Sequence, residues 1–295
     1  MSKSSTLCLK SSFPRSNIFS TLIDKIVNRP SLQFLRQRGY HCYEPRVYRT
    51  LSKILRYVDL EGFDVLLTDY ITFVEESGQH FEFNFNFEFT EICINTILYW
   101  TFARKGNPQF VELLLKRTKN YIQDRSSKVA LIWRTFTPVY YPSPLSGITP
   151  LLYVAQSRQS NIFKILLQYG ILEREKNPIN IVLTILLYPS RVRIMVDHEL
   201  TDICDDAKTC LVLCSRVLSV IPIREVEAQL HLGRRPIISN WLDYIPAARY
   251  KEPCELLHLC RLTIRNQLLT SNMLPNGICS LLIPVCLQDY LNLES

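Results

Sequence analysis

Glycine is scarce, with 8 in 295 residues. Loops are therefore expected to be short. Neither phosphate-cradling pattern, G-x-x-x-x-G-K-[ST] or G-x-G-x-x-G, occurs. Long apolar runs are also missing. The longest stretches, such as INIVLTILLY at 179–188, fall well short of the roughly 20 residues needed to cross a bilayer. The N-terminus is polar and lacks the apolar centre of a signal peptide. The chain is therefore expected to be soluble and intracellular, cytoplasmic with the nucleus left open. Its ten cysteines are then expected to be reduced and to serve mostly as small buried apolar residues. Dense basic runs are missing too. The net charge is +7, but the closest pairs, Lys116-Arg117 and Arg234-Arg235, are short and not interleaved with stacking aromatics. That leaves a solvated basic surface rather than a nucleic-acid footprint.

What is present is a globular balance: 47% hydrophobic and 21% charged residues place the chain outside the disordered class. Residues 1–40 read as a loose tail followed by helical segments broken at Pro30. Residues 47–76 have helical spacing. Leu51, Ile54, Leu55 and Val58 share one face, a turn is expected at Asp59 to Gly62, and Phe63, Leu66, Leu67, Tyr70, Ile71 and Val74 resume the stripe. In FEFNFNFEF (81–89) phenylalanine alternates strictly with Glu or Asn. That is the period of a strand, and it predicts an extended arm within an N-terminal region of residues 41–90.

Residues 91–231 carry repeats. SGITPLLYVAQSRQSNIFKILLQYGI (146–171), within a clearest unit of 146–176, fits the ankyrin pattern, whose signature is T-P-L-H-x-A. Thr149, Pro150 and Leu151 open a first helix, with Pro150 in the first turn, where its missing N–H costs little. Ala155 keeps a face small. Ile162, Phe163, Ile165, Leu166 and Leu167 form the stripe of a second helix, and Gly170 stands where the helix end needs a left-handed residue. Leu152 replaces the usual His, and Arg158 the usual glycine between the helices. A second copy aligns at 97–119, with Ala103 matching Ala155 and Gly106-Asn107 at the turn. Against a repeat of about 33 residues, the offset implies an insertion of about 19 between the copies. The loop-like, Pro-rich 133–147 belongs to it. Single repeats cannot bury their own faces, so worn copies are expected on either side. Tyr153, Arg158, Trp133, Tyr140 and Tyr141 are candidate partner contacts, because aromatic and Arg anchors dominate interface energies; packing roles are equally open to them. A linker marked by Pro236, Pro246 and Pro253 is expected over 232–253.

The C-terminal stretch PCELLHLCRLTIRNQLL (253–269) admits two readings. Cys254, His258 and Cys260 could be metal ligands. However, zinc needs four converging ligands with paired spacings, and no second pair follows. The helical reading is stronger. Leu256, Cys260 and Ile264 form an i, i+4, i+8 ridge, and leucines at 259, 262 and 269 make the helix apolar around most of its surface. The remaining tail can cover one face, which leaves another for the repeats or for a different chain.

This stretch, followed by IPVCLQDYL, resembles a SOCS box. Repeats followed by such a box resemble the ankyrin repeat and SOCS box family, over residues 91–295. The resemblance implies an all-α fold: a degenerate ankyrin solenoid followed by a three-helix box within 232–295. It implies that Leu256, Cys260 and Ile264 bind elongin C, with elongin B alongside. It further implies that Ile283, Pro284, Leu287, Tyr290 and Leu291 bind cullin-5 with its RING protein. Two departures stand out: Glu255 replaces a small residue or Pro, and Leu282 replaces the first Pro of the family's L-P-x-P segment. The implied function is a non-catalytic substrate adapter of a ubiquitin ligase, with the repeats holding an unknown target protein and no cofactor or metal required. A plain ankyrin scaffold with a decayed box is the alternative. A thiol hydrolase is disfavoured, because no local signature supplies a nucleophile with an oriented base.

Overall fold

The computed structural model describes residues 17–22, 44–77, 83–137, 147–187, 205–232 and 241–294. The N-terminal tail, the break at Pro30, Tyr140, Tyr141 and the first half of the expected linker lie outside them. No strand occurs among the described residues, in keeping with the all-α expectation. The chain divides into two compact units, residues 1–105 with 113–143, and residues 106–112 with 144–295.

In the first unit, α1 (Ile18–Leu22) packs on α3 (Leu60–Ser77), and α2 (Glu44–Tyr57) packs on α4 (Phe83–Leu98) and on the π-helical turn Tyr99–Lys105 that prolongs α4. The α2–α3 break is shorter than the sequence suggests. It falls at Val58–Asp59, and Gly62 lies inside α3, its N–H held by the Asp59 carboxylate at 2.8 Å. That is a helix start served by an acidic cap. The Phe-rich run is helical from Phe83 onward, not extended. Alternation loses to continuity, because Phe89, Cys93, Ile94 and Ile97 are all buried and carry a helical stripe through the same segment. Phe19 then meets Tyr70 edge-on and stacks on Phe73, which in turn meets Phe89 edge-on, with centroids 5.4 to 6.0 Å apart. The insertion is packed rather than loose up to Phe136. Val129 to Ile132 are buried, and the Trp133 indole donates to the Ile122 carbonyl at 2.7 Å. Helix α5 spans Pro108–Thr118.

The second unit holds the clearest repeat. Helix α6 (Pro150–Ser157) packs on α7 (Ser160–Gln168) and on α8 (Ile179–Leu187). In turn, α7 packs on α9 (Asp205–Val217), and α8 on α9 and α10 (Ile223–Leu232). Helices α6, α8 and α10 thus form one layer and α7 and α9 a second, as stacked helical hairpins do. The Thr149 hydroxyl caps α6 by accepting from Leu152 N at 3.4 Å. Leu151, Ala155, Leu166 and Leu167 are buried, and Gly170 has φ +73°. Arg158 adopts φ +52°, the conformation that the usual glycine would take without strain. Its side chain is only 2% exposed, so it is not a surface anchor. The second half of the expected linker is packed as well. Two 3-10 turns, Trp241–Tyr244 and Ala247–Arg249, bury Trp241, Ile245, Ala248 and Arg249.

Candidate docking surface

Three helices follow: α11 (Leu256–Thr270), α12 (Asn276–Cys279) and α13 (Val285–Leu291). Leu269, Leu274, Ile278 and Leu291 form their small core, with Ile264, Leu268, Leu281 and Ile283 packed around it.

Helix α11 is inverted relative to an ordinary amphipathic helix. Its buried side holds His258, Arg261, Arg265 and Leu269, while Leu256, Leu257, Leu259 and Cys260 are exposed. Leu256 is 77% exposed. Charged groups are buried only where partners satisfy them, and here the partners are the ends of the repeat helices. The His258 ring faces the Leu218 carbonyl at 3.1 Å just past α9. The carbonyl can only accept, so Nε2 carries the proton. Burial, and then the nearby Arg249 charge, lower the His258 pKa below its usual 6.5, against the pull of that hydrogen bond. Arg261 donates to Arg216 O at 3.4 Å and lies 3.3 Å over the Tyr290 ring. Burial pulls its pKa down to about 10, which leaves it protonated at neutral pH. Arg265 donates to Leu167 O at 2.5 Å at the end of α7, to the Glu173 carboxylate at 2.9 Å, and to Leu291 O at 3.0 Å. Arg249 reaches Ser215 O at 2.8 Å and pairs with Glu255, the residue just before α11, at 3.1 Å. Cations at carbonyl-rich helix ends complement the helix dipole. The reverse contact also occurs: Arg174 donates at 2.7 Å to Leu269 O, near the end of α11.

The structure separates the residues of the metal reading. His258 is turned inward, Cys260 faces solvent, and the Cys254 thiol lies 3.5 Å from the Arg249 guanidinium. Among the described residues, no three His, Cys, Asp or Glu side chains group as metal ligands do. The expectation that cysteines are mostly buried fails here: Cys260, Cys279 and Cys286 are exposed.

Leu256 and Cys260 share the open face with Leu257 and Leu259, and Ile264 is half-buried at its edge. The ridge named from the sequence is thus part of a broader surface. Spacing alone did not name Leu257 or place Leu259 on the open face, because it does not tell which side of an all-round apolar helix is covered. Of the second set, Pro284 and Leu287 are exposed, Ile283 is half-buried, Tyr290 lies against Arg261, and Leu291 is in the core. Leu291 is therefore a packing residue of the bundle. Leu282, fully exposed, and Val285, 69% exposed, add apolar surface that the motif does not contain.

Residues 252–292 match the SOCS box family. Over its whole length the chain is 83% identical to the ankyrin repeat and SOCS box protein 17 of Bos taurus, covering all of both chains. It is 81% identical to the Mus musculus protein of that name, again over all of both chains. To the Homo sapiens protein it is 80% identical over 294 residues. No solved structure gives a significant match. Among the described residues, no helix is long and apolar enough to cross a membrane.

Proposed function

Because the chain belongs to the ankyrin repeat and SOCS box family, we propose that it is a substrate adapter of an elongin B/C–cullin-5 ubiquitin ligase. The inverted helix α11 carries this reading. Its charged side is used inside the protein, so its exposed leucines have no internal role and form a face for another chain. An amphipathic helix laid in an apolar groove is a known mode of recognition. Leu256 and Cys260, with Leu257 and Leu259 beside them and Ile264 at the edge, would enter the groove of elongin C. Cys260 suits a tight pocket because it is small and apolar. Pro284, Leu287 and Val285 would meet the cullin. The chain itself would perform no chemistry. It would hold an intracellular target while the conjugating enzyme and the cullin's RING protein act on it.

The test is co-purification of the tagged chain with elongins B and C and cullin-5, beside a Leu256→Asp/Cys260→Asp variant. The reading requires that wild type captures all three and the variant none. Elongins without cullin would mean that Leu282, in the place of a proline, costs the second contact. A folded wild type that captures neither would leave a plain ankyrin scaffold with a decayed box.

A further inference from the structure

The exposed side of α2 presents Arg46, Arg49, Lys53 and Arg56. At about 100° per residue they fall within an arc of about 80°, and at about 1.5 Å per residue the row runs about 15 Å along the helix. The opposite side, Val47, Leu51 and Leu55, is buried and fixes which face is turned out. Tyr57 closes the row at 76% exposure. Among the described residues, the Arg46, Arg49 and Lys53 side chains make no ion pair or hydrogen bond. The Arg56 guanidinium lies 5.8 Å over the Trp100 ring, and the Trp100 indole is itself held by the Ser52 hydroxyl at 3.1 Å. One end of the row is thus fixed in place.

Such a row works against its own helix. Like charges at i, i+3 and i, i+4 repel one another, and the cations nearest the N-terminus face the positive end of the helix dipole. Solvated helix faces ordinarily intersperse both signs. Here the exposed ridge carries one sign, and no described residue neutralises it. An anionic partner would relieve the repulsion.

We propose that the exposed face of α2 docks an acidic helical segment of the target protein. This rests on the adapter reading and characterises the target that reading leaves open. An acidic amphipathic helix repeats its carboxylates at the same i, i+3, i+7 intervals and the same rise, so one carboxylate can meet each cation. Three of the four cations are Arg, whose planar fork matches a carboxylate with two parallel hydrogen bonds. Tyr57 offers an apolar and polar anchor where the row ends. Single-stranded nucleic acid fits less well, because no stacking aromatics alternate with the cations along the row.

The experiment measures fluorescence anisotropy of a labelled, alanine-based helical peptide bearing glutamate at i, i+3, i+7 and i+10, titrated with the full chain. Labelled oligothymidine of matching length runs alongside. Binding of the peptide should weaken as salt rises and fall about tenfold or more in R46Q/R49Q/K53Q. That variant spares Arg56 and its Trp100 contact and removes repulsions, so it should fold at least as well as wild type. K176Q/R224Q/K251Q removes the same charge elsewhere and should bind like wild type. The proposal is overturned if the α2 variant binds unchanged, if the control variant loses as much, or if oligothymidine binds more tightly than the peptide. Elongin capture by the same proteins reads the adapter function separately. Capture without peptide binding sinks this proposal alone, and peptide binding without capture sinks the adapter reading alone.

Discussion

Arg265 and Glu173 form an ion pair that ties the C-terminal bundle to the repeat stack, with the Arg265 side chain 1% exposed and its guanidinium 2.5 Å from the carboxylate. The same guanidinium satisfies carbonyls of α7 and α13, so one side chain joins three segments. Removing it would leave a part-buried carboxylate and two buried carbonyls without their donor. Arg265→Met should destabilise the second unit by roughly 3–5 kcal/mol. Urea unfolding followed by a signal from Trp241 would measure it, and a loss below about 1 kcal/mol would show that the pair is dispensable.

The open face of α11 should behave in the opposite way. Leu256→Asp places a charge on a residue already in water, so stability should change by less than about 0.5 kcal/mol. Elongin capture should nevertheless be lost, since burying one leucine is worth roughly 1.5–3 kcal/mol and the charge adds a desolvation cost. Thermal unfolding and co-purification of the same sample test both halves. A large drop in stability would mean that the leucine serves the fold.

Gly170 is where the repeat meets the bundle. Its φ is +73°, and a Cβ there would lie 2.3 Å from Leu269 Cδ1. Gly170→Ala combines left-handed strain of roughly 1–2 kcal/mol with overpacking of roughly 1–3 kcal/mol. The midpoint of denaturation should fall accordingly. Adding Leu269→Ala to Gly170→Ala should recover the overpacking part and not the strain, which a double-mutant comparison would show.

His258 predicts a pH dependence. Its folded pKa lies below the usual 6.5, so below that value the unfolded chain binds a proton that the folded protein resists. Stability therefore rises with pH through this window and declines as pH falls below about 6.5. Urea midpoints on either side of that value should differ in wild type, and His258→Gln should flatten the difference. An unchanged slope in the variant would assign the dependence to other groups.

The clear repeat was legible in the sequence because each of its residues answers a local demand. Thr149 caps, Pro150 starts, Ala155 admits a neighbour, and Gly170 turns left-handed. Of the three-helix bundle, spacing showed only the first helix, and the other two were implied by the resemblance to a SOCS box. The Phe-rich run misled because its period of two is a local pattern, whereas the buried stripe from Phe89 to Ile97 is set by what packs on it. Leu291 carried a docking role on paper and is buried in the fold, and of the two roles left open for Arg158 the structure shows the buried one. The α2 row went unnoticed because its cations are spread over three turns and become neighbours only on a helix.

The sequence by itself determined that helical spacing runs through much of this protein, that it carries a clear repeat, and that an apolar helix stands near its end. Those properties follow from period, propensity and caps, which act over a few residues. Only the tertiary structure decided which side of that helix is free. An all-round apolar helix has no preferred inside until its neighbours present their groups. Here the ends of α7 and α9 present carbonyls, which draw His258, Arg261 and Arg265 inward and leave the leucines facing out.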